Sequence, residues 1–398
     1  MLDRLTSDDI QGILSGRDAP VATRINGLID YANGTERSER VVRVDGSRTD
    51  SYIEDGSLAR PFKTIQAAID HAGAKASAIK PYVVEVAPGV YVENVVLKRY
   101  VRLVDVARFG PTGVTVLRSA SGHTLTLPPF DSFVNGLWVE TTSPTPTDSA
   151  VRHVDDGLAA GTYETFAFNL EAKATGAARA ISVEPNPHGA SLIAIYAGVD
   201  AGPGSDGVVA DGAGFIWFLG GGGGDSERGV KIINGGFGMF GASVGINASE
   251  TSPTAWALEV DGGFAVFTGA TIAATNGMML KNGAVVLAAS LSSFGGFSGI
   301  PVQTDPGTFF GIGNVVLDNP GSPPLAGWVL NGISLMLSNG EQGVGTAGLG
   351  GPDLRPVNPP TGFRFFAQDM LPGGGVGPGS WLTWNGAAWV DSTGALIP

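Results

Sequence analysis

The sequence has no cysteine, only four histidines, and 15% charged residues over 398 positions. Without cysteine, a disulfide scaffold, an iron–sulfur cluster and a thiolate zinc site are excluded. His71, His123, His153 and His188 stand 30 or more residues apart, so they form no local ligand pair, and neither a metal nor a cofactor is expected. No apolar run reaches the ~18 residues of a membrane span. The opening stretch MLDRLTSDDIQGILSG is charged and lacks the apolar stretch of a signal peptide. A soluble protein with no membrane insertion is expected. Basic residues are scarcest of all in the body, where Arg228, Lys231 and Lys281 are the only ones between Ile181 and Leu354. A phosphate backbone is bound by Lys and Arg that displace its counterions, so nucleic acid is not an expected partner.

What the chain does have is glycine, at 61 residues, and 43% hydrophobic residues. Glycine is about twice its usual ~7% share, yet no G-X-Y period exists, which excludes collagen. The net charge of −13 is uneven. Residues 1–110 hold 15 Lys/Arg and 15 Asp/Glu, which leaves 9 basic and 22 acidic side chains for the rest. A charged front end therefore gives way to an apolar, glycine-rich β body.

Within residues 6–33, Ile10, Ile13, Leu14, Ile25, Leu28 and Ile29 fall at helical spacing, with Thr6 or Ser7 as possible N-caps. Asp18-Ala19-Pro20 splits the segment into two short helices and Asn33-Gly34 ends the second. Neither is long enough to be stable alone, so they either pack on the body as a hairpin or serve as an anchor on a partner. After Pro61, Phe62, Ile65 and Ile69 predict an amphipathic helix over about 62–72, followed by a β-branched run from Tyr82 to Leu97 with Pro88-Gly89 inside it.

Further on, an Asn/Asp-Gly pair recurs at Asp211, Asn234, Asp261 and Asn282, at steps of 23, 27 and 21 residues, and Asn331-Gly332 looks like a later, degenerate copy. Each copy is followed by apolar strand residues, the pattern of one rung of a β-solenoid. Phe237 is predicted to stack on Phe264 and Phe240 on Phe267, with Met239 and Val266 in phase. Both ladders read as solenoid core, and an exposed sugar-binding aromatic ladder is the alternative. Asp211 and Asp261 read as turn formers. Gly220 to Gly224 reads as a flexible excursion, whose tip Asp225-Ser226-Glu227-Arg228 is the most plausible ligand-facing point of the body. Residues 106–200 carry strand signals at Val114–Leu117, Thr124–Leu127 and Phe133–Val139 but no clean period.

The run DGS…PFKTIQAAID followed by V.VAPGVYVENVVL, within residues 50–105, resembles the start of right-handed parallel β-helix proteins. That superfamily includes pectate lyases, pectin methylesterases and tailed-phage tailspikes. The resemblance implies that the helix after Pro61 covers the open end of the coil stack, where sheet edges and core would otherwise meet water. GFRFF…W.TWNGAAWVD, near the C-terminus, resembles a short terminal module of tailed-phage structural proteins, with a hairpin turn at Asn385-Gly386. Its Trp381, Trp384 and Trp389 read as the module's own core or as a glycan-stacking platform.

The expected fold is thus all-β: a right-handed parallel β-helix over 51–350, helical residues 1–50, and an aromatic β module over 351–398. The two resemblances together imply a phage virion protein, made in the host cytoplasm without a signal peptide. It would be a homotrimeric tailspike-type spike, docked to other virion proteins through residues 1–50 and contacting a host surface polysaccharide. A capsid-decorating protein and a polysaccharide depolymerase (a lyase or glycoside hydrolase) are the alternatives. Candidate ligand-binding residues are Trp217, Asp225, Glu227, Arg228, Trp381 and Trp384, with Asp225 and Glu227 also the weak catalytic candidates. Paired carboxylates with a Lys or Arg on one exposed strand, as polysaccharide-cleaving relatives carry, are not found in the sequence. P-loop, G-x-G-x-x-G, nucleophile-elbow and H-E-x-x-H patterns are also absent.

Overall fold

The computed structural model describes residues 40–317 apart from 107–113, 130–131, 155–163, 186–190 and shorter gaps at 213, 224–225, 242–243, 295–296, 301 and 306–307. It also describes 334–337, 347–350, 364–367, 380–391 and 395–397. The helices expected within 6–33, the turn at Asn331-Gly332, and Asp225 lie outside these residues.

Among the described residues, every strand pairing from Val41 to Leu337 is parallel, and the partners are one coil apart. The chain is therefore the expected parallel β-helix. Each coil has three sides, as the turn containing Phe237–Phe240, Val244–Asn247 and Trp256–Asp261 illustrates. Strands equivalent to Phe237–Phe240 stack into a first face, those equivalent to Val244–Asn247 into a second, and those equivalent to Trp256–Asp261 into a third face of nine strands. The first two faces join into one sheet because strands such as Ser191–Ala201, Phe215–Gly223 and Phe264–Ala273 run straight round the corner between them.

The glycine run is therefore not a loop excursion. Gly221 and Gly222 pair with Ala197 and Gly198 of one neighbouring coil and with Val244 and Gly245 of the other. Parallel pairing on both sides satisfies the backbone, which offsets the entropic cost of glycine in a strand.

Alternation divides the two aromatic ladders. Phe218, Phe240 and Phe267 point inward and are 0–2% exposed, with neighbouring rings 6.5 and 5.1 Å apart. Phe215, Phe237 and Phe264 also stack, at 4.6 and 5.0 Å, but they lie three residues earlier and so on the opposite, outer side, half-buried. Met239 and Val266 share that outer side. The expected stacking is present, while the expectation that both ladders are core is corrected for the outer one.

The lid helix spans Ile65–Gly73, with Thr64 as N-cap, and buries Ile65, Ala68, Ile69 and Ala72. Both oxygens of the Glu93 carboxylate accept from its first amides, Ile65 N at 2.8 Å and Gln66 N at 3.0 Å, where the helix dipole favours negative charge. The helix follows the first strand, Val41–Val44, and packs on the first two coils.

The recurring turn falls at the spacing read in the sequence, since the glycine after each Asp or Asn has positive φ at steps of 23, 27 and 21 residues. The left-handed backbone position is taken by Gly212, Gly235, Gly262 and Gly283, at φ between 58° and 85°, and in the Asn-Gly coils also by Asn234 at 54° and Asn282 at 49°. In Asp-Gly coils the Asp stays in the strand and the Gly alone turns, whereas in Asn-Gly coils the Asn turns together with the Gly. Asp211 and Asp261 then accept hydrogen bonds from Asn234 Nδ2 (2.9 Å) and Asn282 Nδ2 (2.6 Å) of the next coil. Asn234→Ala should cost about 1–2 kcal/mol, from left-handed strain plus the lost bond, and Asn234→Gly appreciably less. Equilibrium denaturation of the two variants would check this, and equal losses would mean that backbone strain is not the cause.

The C-terminal sheet has Ala347–Gly350 parallel to Arg364–Ala367, then antiparallel Ser380–Trp384, Trp389–Asp391 and Leu396–Ile397. The hairpin at Asn385 is present, with a four-residue loop in which Asn385 Oδ1 accepts from the Ala387 and Ala388 amides at 2.9 Å.

Candidate functional site

Winding brings together side chains that the sequence keeps apart. On the third face, register places Arg179, Asp206, Arg228 and Trp256 in one axial column. Val209, Lys231, Glu259 and Met279 form the column beside it. All three basic residues of the long body interval, Arg228, Lys231 and Lys281, therefore fall on this one face, together with Asp206, Glu227 and Glu259. The carboxylate-and-cation set absent from any single strand is assembled across several.

Arg228 organises the cluster. Its Nε donates to Glu259 Oε2 at 2.6 Å and its Nη1 to Glu227 Oε1 at 3.1 Å, with further bonds to the Glu227 and Thr254 carbonyls at 2.9 Å. Lys281 Nζ donates to the other Glu259 oxygen at 3.2 Å, and Ser252 Oγ to Glu227 at 3.0 Å. Burial alone would raise the Glu259 carboxyl, but the Arg228 hydrogen bond and the charge of Lys281 hold it below the usual carboxylate range. Glu227 likewise sits low, since bonds from Thr254, Ser252 and Arg228 outweigh burial. Asp206 goes the other way. Burial pushes it up, against the attraction of Lys231, whose Nζ is 3.8 Å away. Two ionised carboxylates and one that holds its proton more readily thus sit among fixed cations. Such a surface offers donors and acceptors at the ~4.8 Å coil spacing, suited to hydroxyl groups.

Of the residues singled out from the sequence, Glu227 and Arg228 belong to this cluster. Trp217 lies on the outer side of the first face, 5% exposed, in an apolar cluster with Ile193, Phe166 and Met239. Trp381 and Trp384 lie in the strand Ser380–Trp384 of the C-terminal sheet, paired in register with Phe366 and Trp389. Sequence reading missed Lys231 and Lys281 as members of the cluster, and saw Asp206 and Glu259 only as scattered carboxylates. Their separations follow the coil lengths, a signal usable only once the register is known.

A second polar tract lies on the second face. Arg118, Glu140, Lys173 and Asp200 form an axial ladder of alternating charge, with Arg118 bonded to Glu140 at 2.6 Å and Lys173 to Asp200 at 2.5 Å. Beside it run Trp138, Glu171, Gly198, Gly222 and Gly245, each in register with the next.

No family model matches the sequence, and no curated protein matches it. Among solved structures, the pectin methylesterase from carrot is similar at 12% identity and TM-score 0.42, over 76% of this chain and 90% of that one. A pectin methylesterase from Aspergillus niger follows at 13% and 0.32, covering 75% and 87%. Tailspike protein 3 of bacteriophage CBA120 is similar at 12% and 0.26, covering 82% and 66%. At these identities the likeness is one of chain course, and the β-helix itself rests on the strand pairings above.

Proposed function

We propose that this chain is a tailspike-type attachment protein of a tailed phage, which holds a host surface polysaccharide on its third face. The observation that carries the glycan reading is the convergence of Asp206, Glu227, Arg228, Lys231, Glu259 and Lys281 on one outer face, including every basic residue between Ile181 and Leu354. Charged side chains already fixed by one another lose little entropy on binding hydroxyls. The virion assignment rests on the sequence resemblances at 50–105 and at the C-terminus. Residues 1–50 dock the spike to the particle. The uncharged outer ladder Phe215–Phe237–Phe264 suits side-by-side association of three chains.

The experiment is retention of purified host envelope polysaccharide by the whole chain, with immunogold labelling of particles. Lys231→Ala together with Glu227→Gln should weaken retention by about tenfold, the loss of one or two charge-assisted hydrogen bonds. Absence of retention, or label spread over the capsid, would overturn attachment in favour of a decorating role. The raised Asp206 carboxyl beside Lys231 favours a second reading, a depolymerase. Release of oligosaccharides that Asp206→Asn abolishes would establish it.

A further inference from the structure

The four recurring turns differ at one backbone atom. In three of them the amide of the turning glycine is held: Gly212 N by Ile233 O at 3.1 Å, Gly235 N by Gly262 O at 2.9 Å and Gly262 N by Lys281 O at 3.1 Å. The Gly283 amide has no acceptor among the described residues. The cause lies in the coil that follows. At the first three turns the strand pairing runs on to Asp211↔Ile233, Ile233↔Asp261 and Asp261↔Lys281. The strand Val302–Thr304 instead ends its pairing at Leu280, short of the turn. A β-carbon on residue 283 would meet nothing within 4 Å, so this turn has room to move.

Asn282, just before it, is exposed, and its Nδ2 donates to Asp261 Oδ1 at 2.6 Å. Asn234 is the matched case, equally exposed and bonded to Asp211 in the same way at 2.9 Å, but followed by a glycine whose amide is engaged. The other described Asn-Gly pairs of the β-helix are closed twice over. Asn135 and Asn276 are 4% and 5% exposed, and their glycines donate to Phe168 O at 3.1 Å and Ile300 O at 3.0 Å.

We propose that Asn282 is a deamidation site of the folded chain, with the Gly283 amide nitrogen as its internal nucleophile. Gly283 N bonds to Asn282 Cγ and closes a five-membered succinimide. The Cγ–Nδ2 bond breaks, and Nδ2 leaves as ammonia with the amide proton. Water then opens the ring at either carbonyl, giving aspartate or isoaspartate. Glycine offers no side chain to crowd the attack. An amide that already donates to a carbonyl must first give up that bond, which protects Asn234, Asn135 and Asn276. The product puts a carboxylate where an amide donated to Asp261, so a hydrogen bond between coils becomes a contact of like charges. The site does not depend on the attachment reading.

The test is to age the whole chain in mildly alkaline buffer, folded and in urea, and to follow each asparagine by mass spectrometry of peptides cut in acid. Asn282 should convert about tenfold faster than Asn234 in the folded chain, the factor set by one backbone hydrogen bond that must open first. In urea, where both glycine amides are free, the two rates should converge. Asn234, Asn135 or Asn276 converting as fast as Asn282 in the folded chain would overturn the site. So would a ratio in urea equal to the folded one, which would trace the difference to neighbouring residues, or an Asn282 that stays intact while the unfolded chain converts.

Discussion

Phe240→Ala should lower the unfolding free energy by about 3–5 kcal/mol, the usual cost of removing a large buried aromatic. Phe240 is 1% exposed, with its ring 5.1 Å from Phe267 in the coil after and 6.5 Å from Phe218 in the coil before. Deleting it opens a void whose walls belong to two hydrogen-bonded coils and cannot close without breaking ladder pairing. Phe237→Ala removes an equally stacked ring, but a half-buried one on the outer side, so it should cost less than half as much. Denaturant unfolding of the two variants side by side is the measurement. Equal losses would contradict the inward and outward division of the ladders, or would mean that the outer ladder is already covered by another chain.

The second large effect is expected at Arg228. Arg228→Met leaves Glu259, whose side chain is 8% exposed, with Lys281 as its sole cation within 4 Å among the described residues, and Glu227 without its ion pair. Breaking a buried pair from one side costs about 3–5 kcal/mol, and the double variant Arg228→Met/Glu259→Met should recover most of the loss. The effect has a pH signature. The Glu259 carboxyl is held low in the folded state, so its contribution is complete above the unfolded value of about 4.3. It is lost as pH falls through the lower folded value. The gap between wild type and Arg228→Met should therefore narrow in acid. Asp206, held high by burial, works with the opposite sign, and its destabilising share is relieved as pH falls through its raised value. A gap that stays constant down to pH 3 would mean that Glu259 is not what Arg228 stabilises.

The lid helix and the repeating turns were legible because each follows a local rule. Amphipathic spacing places Ile65 and Ile69, and Asn or Gly is needed wherever φ turns positive. Local rules also explain the errors. Asn-Gly and Asp-Gly look alike as pairs, yet Asn234 turns together with Gly235 while Asp261 leaves the turn to Gly262 alone. Five glycines read as a loop, because a single sequence does not reveal the parallel partners that hold Gly221 and Gly222 extended. Coil length hid the rest. Steps of 22, 27 and 21 residues link Phe218, Phe240, Phe267 and Ala288, but 31 and 33 link Leu103, Val134 and Ala167. The charged face was illegible for the same reason, since Asp206, Arg228 and Glu259 become neighbours only after each coil closes.

The lid helix lies at the N-terminal end of the described stack, and each described coil has the coil before it as its first backbone partner and the coil after it as its second. Synthesis therefore runs in the direction in which the stack can be templated. As the ribosome extends the chain, each new turn meets a finished sheet edge, and the apolar interior is sealed at its starting end before the first full coil is complete. A chain halted partway would carry a native-like start with a bare growing edge. Its danger is edge-to-edge association with another halted chain rather than collapse of what is already wound.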